Sequence, residues 1–68
     1  MIITLNGERH ELAPAETLSV AELLTKLEID ARRVAVEHNL IVLKRTAFDA
    51  TLVRDGDQVE IVNFVGGG

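Results

Sequence analysis

The fold is decided by Ser19-Val20-Ala21-Glu22-Leu23-Leu24-Thr25-Lys26-Leu27, the stretch with the clearest helical pattern in the chain. Ser19 and Glu22 fit a capping box, in which each side chain accepts a hydrogen bond from the backbone amide of the other residue. Apolar side chains then recur at the spacing that forms one face of a helix, namely Val20, Leu23, Leu24 and Leu27. The pattern predicts one α-helix from about Val20 to Glu28.

A β-hairpin is predicted before this helix. Residues 1–5 are mostly apolar and rich in β-branched side chains, and Asn6-Gly7 follows them. This dipeptide favours a type I′ turn because both of its residues adopt positive φ readily. Glu8–Leu12 is then the return strand, whose charged residues suit a sheet edge, and Pro14 ends it.

Short strands are predicted after the helix, at 34–38, 40–43, 52–53 and 58–63, while 44–51 is expected to be a loop or a helical turn. In the last strand Val59 and Ile61 alternate with Glu60 and Val62. This order predicts an α+β fold in which one main helix packs against a mixed sheet. The other face of the sheet is expected to stay open.

The length, charge and composition of the chain argue against several classes of function. Its 68 residues suffice for one small domain, and its formal net charge of −4 argues against binding to nucleic acid or to an anionic membrane. The absence of cysteine excludes a persulfide, a thioester or a redox pair on a side chain. No apolar run is long enough to span a membrane and residues 1–5 do not resemble a signal peptide, so we expect a cytoplasmic protein.

No catalytic or metal-binding constellation is evident in the sequence. The two histidines, His10 and His38, have no nucleophile in evident register, so a structural or surface role is expected for both. Asp55-Gly56-Asp57 lacks the later ligands of a calcium loop and is interpreted as a plain turn. There is no phosphate-binding loop either, and we expect this chain to bind no cofactor or metal itself.

The sequence ends on Val65-Gly66-Gly67-Gly68. Three glycines in a row lose too much conformational entropy on ordering to hold structure unaided, so we expect a folded domain at 1–64 and a flexible tail at 65–68. Fully extended, the four residues after Phe64 would reach about 13–14 Å, which would place a terminal carboxylate in the active site of another protein. A glycine-rich end without a function is the alternative.

A partner-binding patch is predicted beside this tail, formed by Val62, Phe64 and Val65. If Val59 and Ile61 face the helix, strand alternation places Val62 and Phe64 on the open face of the sheet. Exposed apolar clusters usually mark interaction sites. The alternative is that Phe64 folds over an edge of the core.

These features together resemble the ThiS-type sulfur carriers of thiamine biosynthesis. The resemblance covers the whole chain and is most specific in Asp55–Val62 followed by Gly66-Gly67-Gly68. It implies the ubiquitin-like β-grasp fold. It also implies that a ThiF-like activating enzyme, using ATP and magnesium, adenylates the carboxylate of Gly68. Sulfur from a donor such as a cysteine desulfurase then gives a thiocarboxylate, which is delivered to a ThiG-like thiazole synthase.

By the same resemblance, Gly68 is the modified residue, and Gly66 and Gly67 allow the tail to enter the partner's active site. The family pattern requires two terminal glycines, which are Gly67 and Gly68 here, and it does not require Gly66. The chain would be a carrier rather than an enzyme. Two alternatives stay open: another ubiquitin-like sulfur carrier, such as the small subunit of molybdopterin synthase, and a passive β-grasp interaction domain.

Overall fold

The described part of the computed structural model comprises residues 1–13 and 17–64. Its strands are β1 (Ile2–Leu5), β2 (Glu8–Glu11), β3 (Val34–His38), β4 (Ile41–Leu43) and β5 (Gln58–Asn63), and its α-helix is α1 (Val20–Lys26). Single turns of 3-10 helix lie at Ala31–Arg33 and Arg45–Ala47. The predicted tail at 65–68 and the predicted strand end at Pro14 lie outside the described residues.

The five strands form one mixed sheet in the order β2-β1-β5-β3-β4. The central pair, β1 and β5, is parallel, and the other neighbouring strands are antiparallel. Helix α1 follows the first hairpin and packs on one face of the sheet. This is the β-grasp arrangement, so the predicted α+β fold is confirmed.

Both hairpins turn on two residues with positive φ. In the first hairpin Asn6 and Gly7 have φ of 50° and 80°, as the sequence predicts. The second hairpin joins β3 to β4 through Asn39 and Leu40, with φ of 49° and 71°. The prediction that a strand starts at Leu40 was therefore wrong by one residue: Leu40 belongs to the turn and is 81% exposed.

The N-terminus of α1 has the predicted capping box. The Glu22 amide donates to Ser19 Oγ over 3.0 Å, and the Ser19 amide donates to Glu22 Oε1 over 2.9 Å. The helix ends at Lys26, earlier than the predicted end at Glu28. Glu28 has a φ of 58°, and the amide of Ile29 donates to the carbonyl of Leu24 over 2.9 Å. These features form a Schellman motif with glutamate at the position that glycine usually takes.

Glu28→Gly should stabilise the protein because glycine adopts the left-handed conformation without the steric cost of a Cβ atom. An increase of about 1 kcal/mol in the free energy of unfolding is expected. Urea denaturation at neutral pH measures it. Glu28→Ala is the matched control, since it removes the same charge but keeps the Cβ. An equal gain in both variants would show that the charge of Glu28, and not its backbone conformation, is unfavourable.

The core lies between α1 and one face of the sheet. Its buried apolar residues come from the helix, the strands and the two connecting segments: Ile3, Leu18, Val20, Leu23, Leu24, Val34, Val36, Phe48, Val53 and Val59. Leu27 is half-buried against this cluster. Instead of the predicted strand at 52–53, the structure has an isolated bridge between Leu52 and Ser19. The described residues leave the opposite face of the sheet without a covering element.

Candidate partner-binding site

Strand β5 carries the site and is fixed by side chains from two turns. Asn6 accepts a hydrogen bond from the Ile61 amide over 2.7 Å and donates to the Ile61 carbonyl over 3.2 Å. Asn39 accepts from the Gln58 amide over 2.8 Å. Past the end of the strand, the Phe64 amide donates to the Arg33 carbonyl over 2.9 Å. The point at which the chain leaves the sheet is therefore fixed by hydrogen bonds on both sides of β5.

The turn before β5 is held by its two aspartates. Asp55 accepts from the Ile2 amide over 2.7 Å. Asp57 accepts from His38 Nε2 over 2.6 Å, from the Arg54 amide over 2.8 Å and from Asn39 Nδ2 over 3.1 Å. This arrangement confirms the turn and gives His38 a structural role. Among residues 1–13 and 17–64, no cluster of histidine and carboxylate side chains could hold a metal ion.

The ionisation of Asp57 is coupled to this network. Burial opposes its charged form, but the hydrogen bonds from His38, the Arg54 amide and Asn39 outweigh that effect and lower the pKa of Asp57. Because its pKa is lower in the folded than in the unfolded protein, the carboxylate stabilises the fold at pH values above its unfolded pKa. That contribution is lost as the pH falls below about 4, the ordinary range of an aspartate.

Asp57→Asn should therefore destabilise the protein at neutral pH. It should also reduce the amount of stability that the protein loses when the pH falls below about 4. The amide cannot accept all three hydrogen bonds as an anion does, and a loss of roughly 1–3 kcal/mol is expected. Urea denaturation at a series of pH values from neutral to below about 4 measures both effects. Below that pH the stabilities of wild type and variant should converge. Parallel curves for the two proteins would show that Asp57 does not contribute to the acid sensitivity.

The open face of the sheet presents an apolar surface around β5. Val62 is 60% exposed and lies opposite Ala35 of β3, and Val42 of β4 is 68% exposed. Alternation along β3, with Val34 and Val36 in the core, could have placed Ala35 on this face from the sequence alone. We call Ala35, Val42 and Val62 the open-face patch.

Phe64 lies where this patch meets the end of the sheet. It is 58% exposed, but it lies beside the buried core residues Val34 and Phe48, as in the alternative that places Phe64 over an edge of the core. It borders a cavity of about 300 Å³, whose other lining residues are Val34, Ala35, Leu43, Arg45 and Phe48. Sequence reasoning missed this cavity because Arg45 and Phe48 come from the segment without clear periodicity. The predicted patch residue Val65, like Gly66, Gly67 and Gly68, lies outside the described residues.

The fold and the site together define a small β-grasp protein with an open apolar face beside its C-terminal strand. The chain belongs to the ThiS family, whose family model matches residues 3–68. None of the helices within the described residues is long and apolar enough to cross a membrane.

Relatives with solved structures are similar over the full chain. The crystal structure of a thiamine biosynthesis protein, ThiS, from Geobacter metallireducens is 51% identical, covers all of both chains and superposes with a TM-score of 0.88. A solution structure of a thiamine biosynthesis protein from the same organism covers all of this chain and 88% of that one, with a TM-score of 0.84.

A longer protein also contains a segment similar to this chain. The thiazole synthase of Paramagnetospirillum magneticum is 41% identical over all 68 residues, which make up 20% of its length. The chain thus spans about a fifth of the length of the thiazole synthases that it matches.

Proposed function

We propose that this protein is a sulfur carrier of thiamine biosynthesis and that the carboxylate of Gly68 carries the sulfur. The observation that carries this proposal is the match to the ThiS family, which extends through the three glycines to residue 68. The solved relative named as a thiamine biosynthesis protein supports the thiamine pathway over the molybdopterin one. The open-face patch beside the end of β5 supports a protein that presents its tail to a partner.

Activation is needed because a carboxylate is a poor electrophile at neutral pH. In the proposed reaction a carboxylate oxygen of Gly68 attacks the α-phosphorus of ATP, and pyrophosphate leaves. The product is an acyl adenylate, whose AMP group can be displaced from the carbonyl carbon by a sulfur nucleophile at the oxidation level of sulfide. This leaves a thiocarboxylate on the tail. A ThiF-like enzyme would supply the ATP site and the magnesium, and the carrier would supply recognition and the reacting carboxylate.

The sulfur acceptor in this proposal is a ThiG-like thiazole synthase. The support is that thiazole synthases of two organisms contain a segment similar to the whole of this chain. A carrier and an enzyme that act together gain effective concentration when they are joined in one protein. The sulfur source is proposed to be a cysteine desulfurase, since this chain has no cysteine that could hold a persulfide itself. The desulfurase holds the sulfur as a persulfide, so a thiol must release it as hydrosulfide and be oxidised to a disulfide before the sulfur displaces AMP.

Intact mass spectrometry tests the proposed function. The chain is incubated with the adenylating enzyme, ATP, magnesium and a sulfur source, and its mass should rise by the exchange of one oxygen for sulfur. Fragmentation should place the change on Gly68. A control without ATP should leave the mass unchanged. An unmodified chain under complete conditions would favour the passive interaction domain. Transfer of the sulfur to molybdopterin synthase but not to thiazole synthase would favour the other carrier pathway.

A further inference from the structure

Two glutamates face each other within the apolar part of the open face. Glu37 of β3 and Glu60 of β5 are cross-strand partners in the sheet register. Together with Val42 and Val62 they line a depression of about 60 Å³. Directly opposite residues of antiparallel strands have Cβ atoms about 4.5–5.5 Å apart, and like charges at such positions destabilise a sheet.

Neither glutamate has an ion-pair partner among the described residues. Among residues 1–13 and 17–64, ion pairs join Arg9 to Glu11 and both Arg32 and Arg33 to Asp30, and His38 hydrogen-bonds with Asp57. Neither Glu37 nor Glu60 takes part in them or in a described side-chain hydrogen bond. The sheet therefore keeps an unfavourable pair of charges at a position where one glutamine would remove it.

We propose that Glu37 and Glu60 together bind a lysine or arginine of the adenylating enzyme. This inference rests on the proposed function, since an enzyme that holds the tail must approach the end of β5. A cation placed between the two carboxylates would relieve their repulsion. Burial of Val42 and Val62 against the same enzyme would exclude water and strengthen the attraction. The two charges would thus select a basic group within an apolar contact.

A second copy of the chain fits this surface poorly. A two-fold symmetric contact brings the same patch of both copies together. Contact through the open-face patch would then gather four carboxylates, two from each copy, without a cation from the patch itself. The charges on this surface therefore favour a different protein with basic residues over self-association.

The test compares single and double variants, Glu37→Gln and Glu60→Gln, in the full chain. Affinity for the adenylating enzyme is measured by calorimetry at low and high salt, and stability by urea denaturation. Each substitution should weaken binding by about tenfold at low salt, the lower end for close charge pairs at an interface. The double variant should also lose most of the salt dependence of binding. In contrast, the urea midpoint of the free protein should rise in each variant.

Glu8→Gln is the matched control, because Glu8 is an exposed glutamate on β2, at the opposite edge of the sheet. It changes the net charge equally and should leave affinity for the adenylating enzyme nearly unchanged. Equal weakening by Glu8→Gln and Glu60→Gln would overturn the proposal in favour of a general effect of net charge. Unchanged affinity in the double variant would overturn it as well, and so would weakened binding to thiazole synthase alone.

The same samples separate this inference from the proposed function. Adenylation of the wild-type chain is followed by pyrophosphate release. If the wild type is adenylated and the double variant binds the adenylating enzyme as tightly as the wild type does, the proposed contact with a basic side chain is wrong. The carrier function then stands. If the wild type is not adenylated at all, the carrier function fails. Self-association that appears only in the double variant would support mutual repulsion of the carboxylates between copies, whereas self-association of the wild type through this face would contradict it.

Discussion

Gly67→Val should abolish thiocarboxylate formation and leave the fold unchanged. In the proposed function the tail enters a narrow active site, where a β-branched side chain adds bulk and restricts the backbone. Reacting atoms must approach within about 3–3.5 Å, and a displacement of about 1 Å can cost 10²-fold in rate. We therefore expect a loss of at least about 10²-fold in adenylation. Intact mass and pyrophosphate release measure the reaction, and circular dichroism with urea denaturation measures the fold.

Deletion of Gly68 is the companion experiment. It shortens the reach by about 3.4 Å and should also prevent the reaction, although it exposes Gly67 as a new terminal glycine. If this variant still forms a thiocarboxylate, Gly66 and Gly67 can serve as the terminal pair. Normal reaction of Gly67→Val would contradict the requirement for a slender tail. Gly7→Val is a useful contrast, because Gly7 has a φ of 80° in the first hairpin and its replacement should cost stability and not reactivity.

Local sequence signals predicted most of the fold. The capping box at Ser19, the Asn6-Gly7 turn and the limits of β3 and β5 all appear in the structure. Each depends on hydrogen bonds or backbone preferences among residues close in sequence. The errors fall where tertiary packing overrides local preference. Glu28 and Leu40 adopt left-handed conformations that neither side chain favours. The turns at these two residues could therefore not be predicted from residue type.

The site was less predictable than the fold because its parts come together across strands. Alternation placed Val62 on the open face, but the pairing of Glu37 with Glu60 depends on the register between β3 and β5. A shift of one residue would exchange the faces of a strand. The interaction of His38 with Asp57 likewise joins residues 19 positions apart. Long-range register of this kind cannot be read from composition or periodicity.

Phe64→Asp should weaken binding to the adenylating enzyme far more than it weakens folding. Phe64 is 58% exposed at the end of the open-face patch, and large aromatic side chains in such positions often dominate binding energies. We expect a loss of about 2 kcal/mol or more, or roughly 30-fold in affinity. The free energy of unfolding should fall by less than about 1 kcal/mol, since most of the ring is already in water. Calorimetry and urea denaturation give the two values.

Leu40→Asp provides the matched control for Phe64→Asp. Both substitutions replace an exposed apolar side chain by the same charge, but Leu40 follows the C-terminal end of β3, whereas Phe64 lies beside its N-terminal end. Aspartate also tolerates the left-handed conformation of Leu40 better than leucine does, so the control should fold at least as well as the wild type. Its affinity for the adenylating enzyme should stay within about threefold of the wild-type value.

If Phe64→Asp unfolds the protein, Phe64 closes the cavity beside Phe48 and belongs to the core. If both variants bind equally weakly, the loss comes from added negative charge, and the open-face patch is not where the adenylating enzyme makes its apolar contact.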